Sequence, residues 1–133
     1  MGLHICQISQ KGTDQRGEWV AVANDGQSAV ALTDLEITDF TKTQQHVHIF
    51  RFPETTNKTP LMLGPGQTAY VFTGKGKNEW VTTQSGKKQL LLFAGKSAPA
   101  WNNTGDVAYL RKPDGTFIDT MTVGDPARHP NGH

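Results

Sequence analysis

Apolar and polar residues alternate along most of this chain, and the alternation predicts strands. Residues 3–8, LHICQI, set Leu3 and Ile5 against polar neighbours. EWVAVAN places Val20 and Val22 on one face and Trp19, Ala21 and Ala23 on the other. Asp25-Gly26, inside NDGQ, reads as a hairpin turn in which Gly takes positive φ. SAVALTDLEITD carries Val30 and Leu32 and, after a step, Leu35 and Ile37. HVHIFRF (46–52) predicts another strand, stopped by Pro53. LMLGPGQ places Pro65 and Gly66 at the centre of a type II turn, because Pro fixes φ and Gly accepts the positive φ that follows. TAYVF is the next strand. A short EWVTT run between GKGKN and QSGKK reads as a projecting hairpin or loop. QLLLFA is continuously apolar and predicts a strand buried on both faces. VAYLRK and TFIDTMTV are joined by a turn at Pro113-Asp114-Gly115.

This gives eight or nine short strands with turns every eight to twelve residues, the spacing of an antiparallel sandwich or barrel. No window keeps helical periodicity. The 133-residue length suits one domain. Residues 1–124 hold the strands, and GDPARHPNGH predicts a flexible tail over 125–133.

Charge changes the picture locally more than globally. Thirteen Lys and Arg face twelve Asp and Glu, which argues against wholesale polyanion binding. The distribution is uneven. Lys75, Lys77, Lys87, Lys88, Lys96, Arg111 and Lys112 meet only Glu79 and Asp106 between residues 70 and 112. The first forty residues are mainly acidic. A single cysteine, Cys6, allows no intrachain disulfide. The start lacks a signal-peptide pattern, and no apolar run approaches the ~20 residues of a membrane span. The expectation is a soluble, cytoplasmic domain without membrane insertion, unless it is cut from a longer secreted or anchored parent.

Four motifs in order, EWVAVANDGQSAVALTDLEITD, FRFP, LGPGQTAYVF and WNNTGDVAYLRKPDGTFIDT, resemble the lamin tail domain. The resemblance spans about residues 5 to 124. It implies an immunoglobulin-like β-sandwich and a non-catalytic interaction module. In lamins this tail is reported to meet proteins and nucleic acid. Where the family often has Gly-Trp, this chain has Asp34-Leu35. The resemblance makes Trp101 a plug of the sandwich, Asn102 and Asn103 caps of loop backbone, and Asp106 a brace of the same loop. The competing reading is an exposed Trp101 platform for a sugar ring or base.

No catalytic constellation stands out. Gly-x-Ser-x-Gly is absent, and the GKGK at 74–77 fails the phosphate-loop spacing. Asp119 interrupts the apolar row Phe117, Met121 and Val123; Arg111 or Lys112 on the neighbouring strand would pair it if that row faces inward. His46 and His48 share a face and could ligate zinc with a third group such as His4, although Phe50 and Phe52 continue that face as core. No cofactor motif occurs, and a small-molecule substrate is not expected. The functional signal is Lys75, Lys77, Lys87 and Lys88 around Trp80. Three readings follow: protein binding or self-association through loops or an edge strand, nucleic-acid binding by the Lys75–Lys88 loop with Trp80, and glycan binding on an exposed Trp.

Overall fold

A computed structural model describes residues 2–9, 19–40, 49–54, 59–94, 107–114 and 116–122. Trp101, Asn102, Asn103, Asp106, His46, His48 and the 125–133 tail lie outside these. The described residues form eleven strands and no helix. They are β1 (Leu3–Ser9), β2 (Trp19–Asn24), β3 (Val30–Ala31), β4 (Glu36–Phe40), β5 (Ile49–Arg51), β6 (Met62–Leu63), β7 (Thr68–Phe72), β8 (Glu79–Thr82), β9 (Lys88–Phe93), β10 (Val107–Arg111) and β11 (Phe117–Thr122). The count exceeds eight or nine because SAVALTDLEITD divides into β3 and β4, and because the two-residue β6 precedes the Pro65-Gly66 turn.

One sheet runs β1-β2-β7-β9-β8 and the other β11-β10-β4-β5, while β3 and β6 pair at one end. All neighbours are antiparallel except β7 and β9, which run parallel. The chain leaves β7, passes to the sheet edge as β8, and returns as β9 between the two. The inner faces meet in one core. Leu3, Ile5, Val20, Val22, Val71, Leu90 and Leu92 come from the first sheet, Ile37, Ala108, Leu110 and Met121 from the second, and Phe52 from the residue just after β5. Each of these side chains except Ala108 contributes about 1.5–3 kcal/mol on full burial. On the other face of the first sheet, Trp19 and Tyr70 pack against Cys6, Ala21 and Ala23, and their rings meet edge to face at 5.1 Å.

Turn chemistry explains the corners. Gly66 has φ 76°, and Gln67 N–H donates to the Gly64 carbonyl at 3.1 Å, as the Pro-Gly step predicts. Gly86 has φ 87° at the β8–β9 turn. In the β10–β11 turn, Asp114 Oδ1 accepts from Thr116 N–H at 2.9 Å.

Asp25-Gly26 departs from expectation, because it joins no hairpin. β2 pairs with β1 and β7, whereas β3 pairs with β6. The side chain of Asn24 turns the chain out of the sheet instead, its Oδ1 accepting from Gly26 N–H at 3.0 Å. Glycine is needed here for close approach: a Cβ on Gly2 would stand 2.2 Å from the Gly26 nitrogen.

Asn24 is fully buried and satisfied on every polar atom. Its Nδ2 donates to the Ser28 and Leu63 carbonyls at 2.9 Å each. Its backbone N–H donates to the Gln67 carbonyl and its own carbonyl accepts from Gly66 N–H. One amide thus ties the end of β2 to the Pro65-Gly66 turn. After β3, Asp34 sits at φ 71°, where glycine would be unstrained.

QLLLFA is buried on one face only. Leu90 and Leu92 enter the core, whereas Gln89, Leu91 and Phe93 are partly exposed on the outer face. Its hydrophobicity reflects an inner layer plus outer-face contacts such as the Phe72–Phe93 stack at 5.0 Å.

Candidate functional site

Two edges of the sandwich are chemically unlike. At one, β1 and β11 meet, and Asp119 Oδ2 accepts from the Ile5 backbone N–H at 2.8 Å. The expected Asp119–Arg111 pairing is replaced. Arg111 Nε donates to Glu36 Oε1 at 2.9 Å, and Arg51 Nη2 donates to Glu36 Oε2 at 2.6 Å. A register shift between Leu110 and Arg111 turns Phe117 out to 54% exposure while Asp119 and Met121 stay on the inner row. The carboxylate then reaches the edge of β1.

Glu36 itself is buried. The hydrogen bond from Arg51 is the main cause of its lowered pKa; burial opposes it and Arg111 reinforces it.

The opposite edge of the first sheet is β8. It pairs with β9 in the register Glu79–Leu91, Trp80–Leu90, Val81–Gln89 and Thr82–Lys88. Its turn is closed by Thr83 N–H to the Lys87 carbonyl at 2.8 Å and Gly86 N–H to the Thr83 carbonyl at 2.9 Å. At the other end Phe93 N–H donates to Asn78 Oδ1 at 2.9 Å. Gly76 packs so closely on Phe93 that a Cβ would lie 2.5 Å from the ring.

Hydrogen-bonded and non-bonded pairs alternate along an antiparallel ladder. Because Thr83 bonds Lys87, the alternation aims Glu79 and Val81 at β9. Trp80 and Thr82 then turn their backbone N–H and C=O outward, and among the described residues no strand pairs with that side.

Trp80 is 41% exposed and stands between two concavities. One, of about 330 Å³, is lined by Gln67, Trp80, Thr82 and Lys88. The other, of about 290 Å³, includes Pro53, Glu54, Leu61, Trp80, Leu90 and Leu92 in its lining. Lys88, Leu90 and Leu92 alternate on one face of β9, so the lysine continues the row that downstream becomes core.

The lysines do not form one cluster around Trp80. Lys75 and Lys77 precede β8, beside the Phe93 end, and Lys87 and Lys88 follow it. At 3.3 Å per residue the two pairs lie on the order of 20 Å apart. Only Lys88 lines a concavity together with Trp80. Gln67, Pro53, Glu54 and Leu61 join the site from remote segments, and no local sequence signal marks them. His4, the suggested third zinc ligand, lies 3.7 Å from Asp25. Among the described residues no three His, Cys, Asp or Glu side chains group as a metal site.

The architecture and the motif order agree with the family comparison. The model of the Lamin Tail Domain matches residues 2–125. No curated protein matches the chain. With that match covering nearly the whole sequence, on an all-β sandwich, the chain belongs to the lamin tail domain family.

Proposed function

We propose that this domain is a protein-interaction module that accepts an extended segment of another chain along β8. The observation that carries the reading is the outer side of β8, with which no strand among the described residues pairs. Trp80 and Thr82 present outward backbone donors and acceptors, with an exposed indole and two concavities alongside. Main-chain bonds to such an edge supply affinity, and pockets for alternate side chains supply specificity.

The test uses Thr82→Pro, which removes one outward N–H and leaves the β9 ladder intact; proline is tolerated on a strand edge. Linear peptides selected on the wild-type domain from a displayed random library should lose at least tenfold in affinity for the folded variant by calorimetry. Unchanged affinity would reject strand addition.

Nucleic-acid binding is the second reading. What supports it is the placement of exposed Trp80 beside Lys88. Phosphate-led binding would fall steeply with salt and vanish on lysine-to-glutamate change at Lys87 and Lys88. A sugar ring on Trp80 is the third, tested by retention on immobilised polysaccharide.

A further inference from the structure

The β8 groove is electrically polar along its length. At the Thr82 end Lys88 is the charged side chain lining the concavity. At the Asn78 end Glu54 lines the other, whereas Glu79, paired with the outer-face Leu91, points to the opposite side of the sheet. Between them lies the apolar part, Leu61, Leu90 and Leu92 beside the Trp80 ring. Strand residues two apart share a face and stand about 6.6–6.8 Å from each other. A chain added to β8 would therefore meet these three environments with every second side chain.

Antiparallel pairing is the more stable arrangement per residue. In that direction the added segment passes Thr82 first, then Trp80, then Asn78. From this we infer that the β8 edge selects an extended peptide with the pattern acidic, any, apolar, any, basic, read from its N-terminus. The acidic side chain faces Lys88, and the apolar one enters against Leu61, Leu90 and Leu92. The basic one meets Glu54. The inference rests on strand addition at β8 and adds the partner's chemistry and direction. Opposite charges at both ends specify register and orientation more than raw affinity, since rim charges mainly exclude the wrong alignment.

The test compares two capped nine-residue peptides of one composition in a Thr and Val background. One carries Asp, Leu and Lys at successive alternate positions; the other carries Lys, Leu and Asp. At low salt the first should bind at least tenfold tighter. Lys88→Glu, a change at an exposed position, should abolish or invert the preference without altering the fold. Equal affinity for both peptides overturns the polarity and leaves strand addition standing. Preference for the second peptide overturns the direction. Binding of neither, together with no effect of Thr82→Pro on library-selected peptides, removes strand addition as well.

Discussion

The first sheet ends in two edges that treat their backbone oppositely. At β1, the Ile5 N–H is taken by a carboxylate from the other sheet. At β8, the outward groups of Trp80 and Thr82 meet no strand among the described residues. An unpaired edge invites pairing with foreign chains, and proteins commonly block it. Asp119 blocks one side of this sandwich. The other is short, four residues, with flanking charge, and no strand among the described residues covers it. Stability should therefore concentrate on the β1 side and binding on the β8 side.

The largest expected loss comes from Asn24→Ala. It strands the Ser28 and Leu63 carbonyls and the Gly26 N–H, for about 3 kcal/mol or more in chemical denaturation. Asp119→Ala removes the cap on Ile5 and should cost about 1–2 kcal/mol, with added self-association visible by light scattering. Glu36 gives the comparison a pH axis. Its folded pKa is lowered, so its contribution is complete above the ordinary glutamate value and fades as pH falls through the depressed one. Glu36→Gln should flatten the stability profile below about pH 4.5, at a cost of about 1–2 kcal/mol near neutrality. Trp80→Ala should cost under about 1 kcal/mol, given its exposure, while peptide binding falls tenfold or more. A loss of fold there would break the division of labour between the edges. The smallest effect is a gain: Asp34→Gly relieves a left-handed aspartate and should add about 0.5 kcal/mol.

Local chemistry was readable wherever a residue dictates its own backbone. Pro65-Gly66 and the alternation of Val20 with Val22 needed no partner to be recognised. Asp25-Gly26 misled, because Asn24 supplies from its side chain the bond that a tight hairpin would have made. Asp119 was singled out as needing company, and beside the register shift that separates its pair with Leu110 from the next, that company is a backbone amide of β1. The site was legible only as Trp80 and its lysines. Their division into two remote pairs follows from where β8 begins and ends. The entry of Gln67 and Leu61 follows from tertiary packing that no short window encodes.

The parallel pairing of β7 with β9 has a kinetic consequence. β8 and β9 meet through a five-residue connection, so their mutual contacts are local and cheap in loop entropy. The pair can assemble by itself within microseconds, the pace of isolated hairpins. It then joins the sheet by β9 against β7, and among the described residues no other strand of that sheet pairs with it. Such a flap is a natural unit of partial unfolding. In native-state hydrogen exchange its amides should open together, below the free energy of the β1–β2 amides. A bound segment on β8 should slow the whole flap, extending its protection to β9 residues that it never touches.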